Sequence, residues 1–303
     1  MSRILVAGLI NVETTVRIEA FPINYEPVRF PFGGVNSTVS GVGYNLAKAL
    51  TVLGNEVRFL AMIGNDPAAT LVRHALSRDQ ISSEHIFPLL DNTPQSAILY
   101  DQDGRRMINV DLKTIQETAY PVSAFDIALK GCKLAILGNI NFARPFLERA
   151  RNAGVAIASD VHTIANLDDP YNRDYMAAAD ILFMSDEALP EPPDQWIKRV
   201  QAEFETPIVV IGMGREGALL SVRQDQHVIH IPAVQLRPIV NTIGAGDALF
   251  AAFNHVYAHT GDPYLAIRKA IAFAGYKIGT AGAADGFLSE QALDELYQQR
   301  CSQ

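Results

Sequence analysis

The sequence predicts an α/β protein in three layers, a mostly parallel central sheet between two sets of helices, carrying a small β-sheet lid. Three observations lead there: short apolar runs at 4–9, 57–62, 134–137, 155–159, 181–184 and 208–211, helical periodicity between them, and two stretches that fit neither pattern. A strand covered on both faces reads as a continuous apolar run, which is how parallel sheets flanked by helices appear in a sequence. Leu46, Leu50 and Leu53 recur three or four residues apart, as do Phe250, Phe253 and Tyr257, so both segments are read as amphipathic helices. The exceptional stretches are 12–39, rich in β-branched residues, proline and glycine, and 96–111, with strand character around the turn signal Asp103-Gly104. Inserted between main-sheet elements, they are expected to form a lid over the carboxyl edge, where open α/β sheets bind ligands. No low-complexity linker or short-period repeat divides the chain, so residues 1–303 are expected to form one domain.

Composition narrows the function. With 49% hydrophobic residues in 303, the chain can bury a substantial core without disulfides or metal. Lys and Arg number 25 against 33 Asp and Glu, a net charge of -8, so no basic surface advertises nucleic acid or an anionic membrane as a partner. The apolar run at 4–10 is broken by Asn11 and Glu13, too early for a membrane span or a signal peptide. Cys132 and Cys301 stand far apart, which predicts reduced thiols and a cytoplasmic protein.

Three glycine motifs carry the chemistry. Gly212-Met213-Gly214-Arg215-Glu216-Gly217 matches the dinucleotide pattern GxGxxG after a strand, but that fingerprint needs a helix next, and residues 218–222 continue as strand with a hairpin partner at 227–231. An NAD-dependent dehydrogenase is therefore ranked low; turn glycines, or a nucleotide site of another kind, remain. Asn241-Thr242-Ile243-Gly244-Ala245-Gly246-Asp247 runs into a good helix. Glycines there free backbone N–H groups to converge on one point, where the helix dipole adds positive potential and a polyanion is held. Asp247 beside such a nest is either a helix cap or a group that handles a proton. Ser40-Gly41-Val42-Gly43-Tyr44-Asn45 is a second glycine turn entering a helix, with Asn45 able to donate to or accept from a hydroxyl.

In these residues the chain resembles the ribokinase-like, PfkB family of carbohydrate and nucleoside kinases. The acceptor-side turn is the Ser40–Asn45 run and the DTxGAGD signature is the Asn241–Asp247 run; residues 8–13 resemble the family's G-x-x-N-x-D segment and residues 54–66 its LG…GxxGxD stretch. The resemblance covers nearly the whole chain. It implies the ribokinase-like three-layer fold and ATP-dependent phosphotransfer to a hydroxyl of a small sugar, a nucleoside being the alternative acceptor. It further implies Asp247 as general base, with Gly244, Ala245 and Gly246 as the anion hole. Asn11, Glu13, Gly41 and Asn45 would bind the acceptor, Gly212, Gly214, Gly217 and Thr242 would bind ATP, and Mg²⁺ would bridge its phosphates. These assignments suit a reaction in which positioning and charge stabilisation do most of the work.

Three departures qualify them. Glu13 stands where the family has Asp, which alters the depth of the acceptor pocket. Asn241 replaces the first Asp of the signature, at a position associated with a monovalent-cation loop, which puts potassium activation in doubt. The NxxE motif should fall at Ser185-Asp186-Glu187-Ala188 and is degenerate, leaving Glu187 as a metal residue acting through water. Arg105, Arg106 and Arg215 are the cations open to a phosphorylated acceptor, and Phe30, Phe32, Tyr44 and Tyr100 the aromatics open to a nucleoside base. A non-catalytic sugar sensor would lack the base, and Asp247 is present. Exposed lid edges make a homodimer through the lid a candidate assembly.

Overall fold

In the computed structural model, which describes residues 2–102 and 105–300, the chain alternates strand and helix almost throughout. The first half contains β1 (Arg3–Ala7), β2 (Asn11–Arg17), β3 (Val35–Ser40), α1 (Val42–Val52), β4 (Glu56–Met62), α2 (Pro67–Arg78), β5 (Ile86–Phe87), β6 (Gln95–Tyr100), β7 (Arg106–Asp111), α3 (Val122–Leu129), β8 (Leu134–Leu137) and α4 (Arg144–Asn152). The second contains β9 (Ala156–Thr163), α5 (Arg173–Ala178), β10 (Ile181–Ser185), α6 (Pro193–Phe204), β11 (Ile208–Gly212), β12 (Ala218–Val222), β13 (His227–Ile231), α7 (Ala245–Thr260), α8 (Pro263–Lys277) and α9 (Glu290–Arg300). The anticipated Asp103-Gly104 turn and Cys301 lie outside the described residues; Cys132 is buried and free.

Among the described residues the main sheet has nine strands in the order β13-β12-β11-β10-β9-β8-β1-β4-β5. Its pairs are parallel except where β12 runs antiparallel to β11 and β13. Alternate residues of each strand enter opposite cores, as a two-residue repeat requires. Ile4, Val6, Phe59, Ile136 and Val210 pack under α1, α7 and α8, while Leu5, Ala7, Leu60, Leu137 and Val209 pack under α3, α4 and α6. That is the three-layer arrangement predicted from the apolar runs. The boundaries differ slightly: β1 ends at Ala7 because Gly8 turns the chain against Gly43, and β9 extends to Thr163, past the predicted end at 159.

A separate four-stranded sheet has the order β3-β2-β6-β7. It is assembled from the two predicted insertions, with β2 parallel to β6 and antiparallel to β3, and β7 antiparallel to β6. Its root is pinned by Asp66, which caps α2 through the Ala69 N–H at 2.8 Å and accepts the backbone N–H and hydroxyl of Thr93 at 2.9 and 2.7 Å, just ahead of β6.

Candidate active site

The carboxyl edge of the parallel strands and the inner side of the small sheet meet at the first turn of α7. Gly244, at φ 76°, caps that helix in a left-handed conformation, and a Cβ there would lie 2.4 Å from the Ala283 carbonyl, so only glycine lets the two loops approach. The Ala245 N–H bonds back to the Thr242 carbonyl at 3.2 Å, leaving the next amides of the turn, at Gly246 and Asp247, as the helix's unsatisfied donors. Nothing lies within 4 Å of where a Gly246 Cβ would be, so the nest opens to a ligand.

Asn45 donates to Asp247 Oδ2 at 2.7 Å across 202 residues of sequence, and its Oδ1 accepts from the Ser40 hydroxyl at 3.3 Å. This contact depends on Gly41 and Gly43. A Cβ on Gly41 would meet the Leu9 carbonyl at 2.7 Å, and one on Gly43 would overlap the Gly8 backbone at 2.5 Å. The acceptor-side turn is thus pressed against the end of β1, which delivers Asn11 and Glu13 two residues apart on one face of β2. Asn11 Nδ2 donates to the Ser96 hydroxyl at 3.1 Å, while its Oδ1 is buried without a hydrogen-bond partner, an acceptor awaiting a donor.

Burial pushes the Asp247 carboxyl above its ordinary value, against the opposing Asn45 amide and the positive charge of His162. Glu13 is likewise pushed up, chiefly by burial, with the Ser40 hydroxyl opposing and the Asp247 charge reinforcing. Two carboxyls in one pocket therefore hold their protons more tightly than in water.

The structure brings Thr242 and Glu187 together through Arg106, one of the cations that the sequence leaves open to a phosphorylated acceptor. Arg106 Nη1 donates to Thr242 Oγ1 at 3.3 Å, and its Nη2 lies 3.8 Å from Glu187 Oε1. Beside Glu187, burial raises the Asp186 carboxyl, and the Glu187 and Glu216 charges raise it further. Three acids repelling one another at this edge suit a hydrated divalent cation, although no group of three or more metal-ligating side chains is preformed among the described residues. The Gly212–Gly217 turn lies here too. Gly212 and Gly214 meet nothing tighter than ordinary contact, whereas a Cβ on Gly217, at φ 99°, would fall 2.0 Å from the Ile231 carbonyl. Gly217 is glycine because the hairpin needs it. The strand that follows is β12, as the sequence predicted when the dinucleotide reading was ranked low.

Three residues at this edge had no sequence motif to flag them. Lys277 is fully buried and donates to the Ile243 carbonyl, in the loop entering the anion nest. Burial lowers it to about 8, against the attraction of Asp247, Asp285 and Glu13. A single charge at the end of the apolar run 270–276 was the available signal. Asp160 and His162 follow an ordinary strand pattern and gave none. Of the aromatics considered for a nucleoside base, Tyr44 is fully buried and bonded to Asp79, so it belongs to the core, while Phe30 and Phe32 are exposed and stack on one another at 6.2 Å.

Comparison with known proteins supports the fold. The pattern of pfkB family carbohydrate kinases matches residues 1–290. An ATP-dependent ribose-1-phosphate kinase from Halopiger xanaduensis is 26% identical over 304 residues, covering 96% of this chain and 99% of that one. The solved structure of a microbiome-derived acarbose kinase superposes with a TM-score of 0.86 at 25% identity, covering 98% and 99% of the two chains. A nucleoside kinase from Burkholderia thailandensis, solved with inosine, shares the fold at TM-score 0.78 and 19% identity, with 99% of each chain covered. Among the described residues no helix is long and apolar enough to cross a membrane.

Proposed function

From the premise that the chain belongs to the pfkB family of carbohydrate kinases, phosphotransferases with a sugar hydroxyl as acceptor, we propose that it moves the γ-phosphoryl group of ATP to a small sugar with Asp247 as general base. The observation that carries this reading is the 2.7 Å bond from Asn45 to Asp247 Oδ2, which joins the acceptor-side turn to the carboxylate at the mouth of the anion nest. A capping role would leave no reason to tie Asp247 to a turn 202 residues away.

In the reaction, an acceptor hydroxyl held by Asn11, Glu13 and Asn45 approaches Asp247. Its oxygen forms a bond to the γ-phosphorus, the bond from that phosphorus to the bridging oxygen breaks, the hydroxyl proton passes to Asp247, and ADP leaves. The orphaned Asn11 Oδ1 gives one sugar hydroxyl a partner. With Ala245 bonded back to Thr242, the Gly246 and Asp247 amides are the ones offered to the phosphoryl oxygens, and Gly212, Gly214 and Thr242 line the nucleotide side, Gly217 being taken up by the hairpin. Mg²⁺, held through water by Asp186 and Glu187, would supply charge neutralisation on the phosphates. Because the proton leaves late, Asp247 accepts it without a fully matched pKa.

A sugar is favoured over a nucleoside because the buried groups of the acceptor face are hydroxyl partners, while Tyr44 is spent in the core. Potassium is not required in this account. Asn241 Oδ1 accepts the Ile243 N–H at 2.7 Å, and the Ile243 carbonyl already receives the Lys277 ammonium, so the chain supplies its own cation to this loop. The lid also offers a surface to a second copy: Val35 on β3 and Met107, Ile108 and Val110 on β7 are each about half exposed on edge strands. The test of function is a panel of sugars, sugar phosphates and nucleosides in a coupled ADP-release assay. Acceptor-dependent ADP release with a sugar supports the reading, and turnover with nucleosides alone replaces it.

A further inference from the structure

We propose that His162 is a cationic arm of the transfer site, aimed at the γ-phosphoryl of the bound nucleoside triphosphate, an inference that rests on the kinase reading above. The argument begins with strand order. Along the carboxyl edge, β1 leads to the acceptor-side residues Asn11 and Glu13, and β10 and β11 lead to Glu187 and Gly212 on the nucleotide side. β9 lies between these groups, separated from β1 by β8 alone. Its end is in register with theirs: Thr163 pairs with Ser185, and Ser185 with Gly212. A residue at the tip of β9 therefore stands where a phosphoryl group passes from one side to the other.

His162 occupies that tip at a conformational cost. Its φ is 56°, the left-handed region that side chains with a Cβ avoid. Asp160 holds it there, accepting the His162 N–H at 2.8 Å, and Asp160 Oδ2 lies 3.4 Å from the imidazole Nδ1. The carboxylate is nearly covered, at 12% side-chain exposure, and the imidazole is open, at 39%. With Nδ1 turned to Asp160, Nε2 has no protein partner among the described residues and is free to donate outward. Local strain that a buried carboxylate maintains is the pattern of a site in which one atom must point in one direction.

The charge state fits. Burial favours the neutral ring, but the Asp160 carboxylate overcomes it and pushes His162 up to about 9, with Asp247 adding to the rise. Asp160, correspondingly, is opposed by burial and held low by His162. A carboxylate 3.4 Å from Nδ1 favours the charged ring. An uncharged sugar gives no reason to hold one, whereas a phosphoryl group with three equatorial oxygens does. The same charge helps keep Asp247 ionised.

The test compares two nucleotides on the full chain by titration calorimetry with Mg²⁺ present: ADP, and the β,γ-imido analogue of ATP. His162→Asn removes the charge but retains a residue that tolerates the left-handed backbone; His162→Arg restores a cation. For His162→Asn the analogue is expected to bind about tenfold more weakly and ADP within about twofold of wild type, the scale of one charge-assisted hydrogen bond, with the arginine variant recovering most of the difference. Equal losses for both nucleotides, or none for the analogue, would overturn the proposal while leaving the kinase reading intact. If the wild-type chain binds neither nucleotide, both fall. The wild-type protein provides a check independent of any variant: the His162 ring resonances should move on adding the analogue and stay in place with ADP, and the opposite pattern contradicts the assignment.

Discussion

Two glycine-rich turns leave the carboxyl edge of this sheet, and they differ in what comes next. The turn at 212–217 runs into the strand β12, and its last glycine is fixed by the neighbouring hairpin. The turn at 241–247 runs into the sixteen-residue helix α7, and its second glycine, Gly246, faces open space. Both have the spacing of an anion loop, but only the second has a helix start to supply unsatisfied amides and a positive dipole end. The lesson is that glycine spacing makes room, and the following element decides for what.

The largest effect that sharpens this contrast is expected at Asp247, the carboxylate in the first turn of α7. Asp247→Asn should lower kcat by at least ~10², the general-base scale, while leaving ATP affinity near wild type in a binding titration. Wild-type turnover in that variant would reduce Asp247 to a cap.

Next come the glycines. Gly244→Ala forces a Cβ to 2.4 Å from the Ala283 carbonyl and Gly217→Ala one to 2.0 Å from the Ile231 carbonyl, both at positive φ, so each should lower Tm by the equivalent of ~1–2 kcal/mol or more. Gly244→Ala should also cut kcat by about tenfold or more by spoiling the nest, whereas Gly217→Ala should leave the kcat of the folded fraction within about threefold. Steady-state rates normalised to folded protein separate the two, and equal kcat losses would erase the distinction between the turns.

A smaller effect concerns pH. Asp247 has a folded-state pKa raised by burial, so the native state binds its proton more readily than the unfolded chain does. Stability then falls as pH rises through that folded pKa, and the ionised carboxylate is a burden at neutral pH. Asp247→Asn is accordingly expected to melt higher than wild type at neutral pH, with the gain shrinking as pH falls into the ordinary carboxylate range. A melting curve that shows the variant less stable at neutral pH would contradict the burial argument.

The smallest effect is that of potassium. With Asn241 neutral and Lys277 on the Ile243 carbonyl, replacing sodium by potassium at fixed ionic strength should change kcat by less than about twofold. Many-fold stimulation at low potassium would mean that other ligands govern the loop.

How much of this could be read from the sequence follows from what each feature depends on. The layers were legible because a strand covered on both faces has little room for a polar residue, so 134–137 or 208–211 is apolar without interruption. The insertions at 12–39 and 96–111 were legible because their composition broke that rhythm, and they do form the second sheet. Asp247, Asn45 and Asn11 were legible through local motifs and the family resemblance. His162 and Lys277 were not. Their roles depend on what the fold brings near: His162, turned by its neighbour Asp160, comes within reach of the Asp247 charge at the start of α7, and the end of α8 reaches the loop before α7. Arg106 was visible only as a charge near a turn, and its position between Thr242 and Glu187 is a property of lid placement.

The central claim is transfer of phosphoryl to a sugar oxygen under the control of Asp247, and phosphorus NMR of the complete reaction reads it most directly. With ATP, Mg²⁺ and a sugar that releases ADP, the wild-type chain is predicted to give a new phosphomonoester resonance equal in amount to the ADP formed, and Asp247→Asn at least ~10² less of it per unit time. ADP accompanied only by inorganic phosphate, or the same phosphomonoester at the same rate from Asp247→Asn, would contradict the account.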